Sequence, residues 1–94
     1  MSKIEYFVYI VECNDGTYYT GIARDVHARI AKHNSGKGAK YTRARRPVIL
    51  RWAMECGDKS SALKQEYNIK QMSREQKEEV VIFGSETQVA GVQV

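Results

Sequence analysis

The chain alternates between short, nearly continuous apolar runs and stretches of helical period, and the switches mark its elements. Residues 6–13 read YFVYIVEC, a strand-length run of aromatic and β-branched side chains, and Asn14-Asp15-Gly16 behind it tolerate the positive φ of a tight turn. Thr17 to Ile22 repeats the strand character, which predicts a hairpin. The spacing then lengthens: Val26, Ile30 and Ala31 recur on one helical face up to Asn34, with Asp25 placed to cap the first turn. The glycines of Ser35-Gly36-Lys37-Gly38 end that helix. Pro47, the one proline, stands before VILRWAMEC, which reads as a third strand with proline at its first position, where a missing N–H costs least. Past Gly57-Asp58, Ala62, Leu63, Tyr67 and Ile69 or Met72 fall at helical spacing within residues 60–72. Ser73 and Gln76 make a capping-box pattern ahead of a further helix, in which Val80, Val81 and Phe83 can pack.

The predicted order is ββαβαα, an α+β arrangement of one small sheet with helices packed on it. Ninety-four residues suffice for a single core and not for two, so one domain is expected over 1–83. The remainder, 84–94, reads as a weakly specified C-terminal tail, frayed or forming a late strand. With 43% hydrophobic and 28% charged residues the composition is that of a soluble globular chain, and no apolar run approaches the roughly 18 residues of a membrane span. Met1-Ser2-Lys3-Ile4-Glu5 lacks the apolar stretch of a signal peptide, so a cytoplasmic location is expected. Cys13 and Cys56 have neither metal-ligand spacing nor the density of a disulfide scaffold and read as buried free thiols.

Charge changes the picture more. The net charge of +4 suits an anionic partner, and its distribution is uneven: RARRPVILR, residues 43–51, holds four arginines and no acid, and Lys37 and Lys40 precede it. Nearby in sequence, Arg29 and His33 lie four apart and so share one helix face. If that face overlooks the hairpin, two phenols, an imidazole and a guanidinium meet beside a basic segment. Tyr18 and Tyr19 must face opposite sides of their strand, so at most one of them joins Tyr9. Glu66 lies three residues from both Leu63 and Ile69, on or beside the apolar side of its helix, where a carboxylate is costly unless paired or holding a cation. Each residue also has an ordinary reading. Tyrosine packs well in sheets, helix arginines are commonly solvated, a histidine near a helix C-terminus suits the dipole, and a glutamate can merely border a core.

Taken in order, FVY at 7–9, YTG at 19–21, Arg29 and His33 on the next helix and Glu66 on a later one resemble the GIY-YIG nuclease superfamily. Within it the chain is most similar to the small stand-alone bacterial proteins and to the nuclease subunit of structure-specific DNA-junction resolvases, where DGT.YTG, KGAKYTR and RRP recur in this arrangement. The resemblance runs from about Tyr6 to Phe83. It implies a three-stranded antiparallel sheet flanked by helices, in agreement with the order read from the residues. It also implies roles: Tyr9 and Tyr19 are the tyrosines of the two motifs, Arg29 and His33 the helix arginine and histidine, and Glu66 the metal ligand. Two positions depart from the family pattern. Phe7 replaces a glycine of the first motif, and the window where many members carry Asn or Gln holds Glu78, Glu79, Val80 and Val81.

The resemblance thus implies a metal-dependent endonuclease that hydrolyses phosphodiester bonds of nucleic acid, DNA in preference to RNA, and is structure-selective or weakly specific. Glu66 as lone carboxylate ligand suits Mg2+, or Mn2+ in its place, because Mg2+ keeps several waters and binds through one or two carboxylates plus substrate phosphate. Tyr9 would act on the attacking water, its phenolate favoured by positive charge from Arg29, the metal or a lysine, since an ordinary phenol with a pKa near 10 is a poor base. Arg29 would neutralise phosphate charge, and Tyr19 and His33 would position the phosphate or assist proton transfer. Lys37, Lys40, Tyr41, Arg43, Arg45 and Arg46 would grip the backbone. The chain is expected to act as a monomer. The alternative is a nucleic-acid-binding module with little intrinsic cleavage or in need of a partner subunit, and a third reading is an interaction domain for acidic proteins.

Overall fold

The computed structural model describes residues 5–90. Its elements are β1 (Tyr6–Glu12), β2 (Tyr18–Ala23), α1 (Val26–Asn34), α2 (Lys40–Arg43), β3 (Ile49–Gly57), α3 (Lys59–Lys70) and α4 (Arg74–Ala90). The strands form one antiparallel sheet in the order β2-β1-β3. This is the expected three-stranded sheet with flanking helices, with one short helix added between α1 and β3. Four residues carry no legible period, which is why α2 is invisible in the hydrophobic pattern.

β1 is paired on both edges and covered on both faces, so it reads as an unbroken apolar run instead of an alternating one. Val8 and Ile10 face one way into a cluster with Trp52 and Ile69, backed by Met72, Val80 and Val81 of the C-terminal helical region. Tyr9 and Val11 face the other way, with Cys13, Ala23, Val26 and Val48, and with Ile30 of α1. β3 serves both clusters by means of a bulge. Ile10 pairs with Trp52 but Val11 pairs with Leu50, so Arg51 is the extra residue, and Leu50 and Trp52 end on opposite faces.

Local signals close the elements. Gly16 takes φ +84 in the hairpin turn, and Asp15 accepts bonds from the Thr17 backbone N–H and hydroxyl. Asp25 accepts from the Ala28 N–H at 3.0 Å, and Asp58 from the Ser61 N–H at 2.8 Å. Ser73 and Gln76 bond reciprocally, backbone to side chain, at 2.9 and 3.2 Å. α4 runs on through Gly84 to Ala90, so the part of the expected tail that is described is helical. Residues 91–94 of that tail lie outside the described residues. No helix among the described residues is long and apolar enough to cross a membrane.

The expected apolar face of α3 needs correction. Ala62 and Ile69 are buried at 0% and 3% exposure, whereas Leu63 and Tyr67 are 44% and 65% exposed. The inward stripe runs Ala62, Glu66, Ile69, at steps of four and three, and this rotation turns the Glu66 carboxylate toward the sheet. Phe83 is likewise 55% exposed.

β3 starts at Ile49, two residues beyond Pro47, because both backbone groups of Val48 are taken by the Asn34 side chain. Asn34 Oδ1 accepts from the Val48 N–H at 2.7 Å, and Nδ2 donates to the Val48 carbonyl at 3.1 Å. This clamp holds the C-terminal end of α1 against the start of β3. Asn34→Ala is therefore expected to destabilise the fold by about 1–3 kcal/mol in chemical denaturation. A change within 0.3 kcal/mol would show that the clamp is dispensable.

Candidate active site

Tyr9 stands in the middle of the central strand, opposite Gly21 on β2 and Ala53 on β3. Its side chain is 1% exposed, so its hydroxyl needs a partner inside the protein. The partner is His33, itself 2% exposed near the end of α1, whose Nε2 lies 2.8 Å from the phenol oxygen. The other ring nitrogen, Nδ1, lies 2.9 Å from the hydroxyl of fully buried Thr42 on α2. Thr42 in turn donates to the Ala39 carbonyl at 2.9 Å. A carbonyl only accepts, so that bond uses the single hydroxyl proton of Thr42.

Two glycines make room for this chain of bonds. A Cβ on Gly21 would stand 2.6 Å from the Tyr9 hydroxyl and 2.8 Å from the ring carbon bearing it. A Cβ on Gly38 would collide with His33 Nδ1 and stand 2.8 Å from the His33 Cα. The glycine of YTG is thus a close-approach glycine: Tyr9 lies across it.

Around the buried pair sit the remaining candidates. The Tyr19 ring meets His33 edge-on at 5.4 Å and stacks with Tyr41 at 6.0 Å. The Lys70 ammonium lies 5.9 Å from the Tyr19 centroid and 3.3 Å from Glu66 Oε2. Arg29 donates to the Ile22 carbonyl at 3.2 Å, and its charge and hydrogen bonding act on Tyr9. Tyr18 faces the opposite side of the sheet, packed in the cluster of Val8 and Ile10 with the Arg74 guanidinium 5.1 Å over its ring.

The electrostatics differ from the expected activation of Tyr9 by positive charge. Burial, then the neighbouring Tyr19, push the phenol up; Arg29 pulls it down, Glu66 raises it further, and the result is about 12. Arg29 acts in the expected direction, but desolvation outweighs it. For His33, burial first and then Arg29 and Lys32 hold the imidazole below its ordinary value. Near neutral pH the resting pair is therefore a neutral phenol bonded to a neutral imidazole.

A GIY-YIG catalytic domain model matches residues 5–79. The chain belongs to the GIY-YIG family. A UPF0213 protein of Staphylococcus epidermidis is 57% identical over 80 residues, 85% of this chain and 98% of that relative. One from Halobacterium salinarum is 59% identical over 71 residues, 76% of this chain and 92% of its own. Among solved structures, the solution structure of a UPF0213 protein from Bacillus halodurans is 48% identical, with 84% of each chain covered and a TM-score of 0.55. That of a protein from E. faecalis is 37% identical, covering 89% of this chain and 90% of its own, with a TM-score of 0.61.

The basic segment of this GIY-YIG chain divides into exposed and bonded residues. Lys37, Lys40 and Arg43 are exposed. Arg45 bonds Asp15 at 3.0 Å, donates to the Tyr41 carbonyl and lies 4.0 Å over the Tyr41 ring. Arg46 donates to the carbonyls of Arg43 and Asn34, bracing the loop after α1. Thr42 and Lys70 are absent from the candidates drawn from sequence. Thr42 was hidden in KGAKYTR by the charges around it, whereas Lys70 had a legible signal, the i, i+4 spacing from Glu66.

The two pKa shifts define a stability window. His33 titrates below 6.5 in the fold, so stability present above about pH 6.5 is lost as pH falls from there toward the folded pKa. Tyr9 titrates near 12 against an ordinary 10.0, so stability present below pH 10.0 is lost as pH rises toward 12. Thermal unfolding across pH is expected to be flattest between those limits, and Tyr9→Phe to shallow the alkaline fall. Identical alkaline slopes in both proteins would contradict burial of the phenol.

Proposed function

We propose that the protein is a metal-dependent endonuclease acting on DNA. The observation that carries this reading is the buried 2.8 Å hydrogen bond between the Tyr9 hydroxyl and Nε2 of neutral His33. It offers a phenol oxygen an internal base, which an isolated tyrosine lacks. The attacking water gives its proton to the Tyr9 oxygen as the phenol proton passes to His33 Nε2. The resulting imidazolium keeps both of its bonds, donating to Tyr9 through Nε2 and to Thr42 through Nδ1. Arg29, beside Tyr9, neutralises charge developing on the phosphoryl oxygens. Tyr19, fixed between His33 and Tyr41, positions the scissile phosphate, and Lys37, Lys40 and Arg43 bind the backbone without reading sequence.

The carboxylate of Glu66 fits a hard cation held mainly by water and substrate. Its side chain is 20% exposed and so remains reachable, and its present partner is a lysine ammonium. No group of three or more His, Cys, Asp or Glu suited to a metal occurs among the described residues, and Glu66 would be the protein's own ligand, with water and substrate phosphate as the others. Bound there, Mg2+ or Mn2+ supplies positive charge to the phosphoryl and leaving oxygens.

A second reading rests on one observation. The window where many family members carry an amide holds Glu78, Glu79, Val80 and Val81 instead, with Glu78 paired with Arg74 at 3.5 Å, which favours a binding module with little cleavage of its own. One assay separates the two. Purified protein with Mg2+ is expected to cut branched or single-stranded DNA, and Glu66→Gln and Arg29→Ala each to lower the rate by about 10²-fold or more with folding retained. Cleavage that persists in Glu66→Gln sinks the metal assignment. Absence of cleavage, together with binding that weakens steeply as salt rises, establishes the binding module instead.

A further inference from the structure

The relay just described works in one direction only, and the direction is set outside the Tyr9–His33 pair. A neutral imidazole has two tautomers. With the proton on Nε2, His33 donates to Tyr9 and cannot receive the phenol proton; with the proton on Nδ1, Nε2 is free to take it. Nothing in the phenol itself decides between these, because a hydroxyl both donates and accepts.

The deciding contact is on the far side of the ring. Thr42 is 0% exposed, and its hydroxyl oxygen stands 2.9 Å from His33 Nδ1 and 2.9 Å from the Ala39 carbonyl oxygen. Two oxygens at that distance repel unless a proton lies between them, and only the threonine has one to give. Once it is given, the lone pairs of Thr42 face Nδ1, which must then carry its own proton. The backbone holds this geometry independently. The Thr42 N–H also bonds the Ala39 carbonyl at 3.1 Å, and the Arg45 N–H bonds the Thr42 carbonyl at 3.0 Å, so the hydroxyl is carried on a closed turn. Gly38 lies against the same edge of the ring, with space for hydrogen and none for a methyl group.

We propose that Thr42 is the positioning residue that fixes His33 as its Nδ1–H tautomer and so reserves Nε2 for the proton of Tyr9. The catalytic consequence rests on the nuclease reading; the tautomer does not. An acceptor oxygen at Nδ1 suits the neutral ring and the imidazolium equally, since Nδ1 bears a proton in both. Transfer therefore needs no rearrangement around Thr42: the Tyr9 O–H bond breaks, the Nε2–H bond forms, and the Thr42 bonds stay as they were.

The first test uses the unaltered protein with 15N-labelled histidine at pH 8, with His27→Gln used only to assign the two rings. His33 is expected to show a protonated Nδ1 and an unprotonated Nε2; the reverse pattern overturns the proposal whatever the activity. Thr42→Val replaces the hydroxyl by a methyl group of similar size and is expected to move the His33 signals toward the other tautomer, whereas Thr42→Ser restores them. A valine variant that keeps the pure Nδ1–H pattern also overturns the proposal. In the cleavage assay kcat is expected to fall at least about 10-fold in Thr42→Val with KM little changed, and to recover in Thr42→Ser. Equal kcat in all three proteins, with the tautomer shifted in the valine variant, overturns the catalytic half. A wild-type protein that cuts no nucleic acid refutes the nuclease reading, and the ring signals still decide the role of Thr42.

Discussion

The Tyr9 side chain on the central strand of a three-stranded sheet is almost wholly withdrawn from bulk solvent, and burying its hydroxyl without a hydrogen bond costs about 1–3 kcal/mol. Tyr9 meets that constraint through His33, which then needs a partner for its own second nitrogen and finds it in Thr42, which ends the chain on a backbone carbonyl. Much of the local architecture serves this sequence of bonds. α1 brings the imidazole to the sheet and Asn34 ties its end to Val48, while α2 exists to carry the threonine. Gly21 and Gly38 leave the space that the two rings occupy.

The same burial organises the electrostatics. In the core, desolvation keeps phenol and imidazole neutral, overriding the nearby guanidinium of Arg29. The charges gather at the rim instead: Glu66 with Lys70 on α3, Arg29 on α1, and the exposed Lys37, Lys40 and Arg43 between α1 and β3. A neutral, buried pair surrounded by charged groups is an arrangement suited to an anionic substrate.

Several features could be read before any coordinates. The hairpin and the helix caps at Asp25 and Ser73 rest on interactions between residues close in sequence, whereas the antiparallel pairing of the third strand was implied by the family resemblance. Strand alternation also separates Tyr19 from Tyr18, and the i, i+4 step places Arg29 and His33 on one helix face. Readings that depended on which way a helix rolls against the sheet fared worse. Leu63 and Tyr67 of α3 looked like core and are exposed, because the stripe through Ala62, Glu66 and Ile69 packs instead. Both stripes satisfy a helical period, and only the surface opposite selects one of them.

By itself the sequence determined the order of the elements other than α2, the pairing of β1 with β2 and the residue types available for chemistry, since all of these follow from local propensity and spacing. The rest was decided by tertiary structure. That Tyr9 and His33 meet 24 positions apart, that Thr42 bonds the second imidazole nitrogen, and that burial outweighs Arg29 in setting the state of the phenol depend on distances and desolvation. Those quantities do not exist until the helices are packed on the sheet, so no pattern along the chain could carry them.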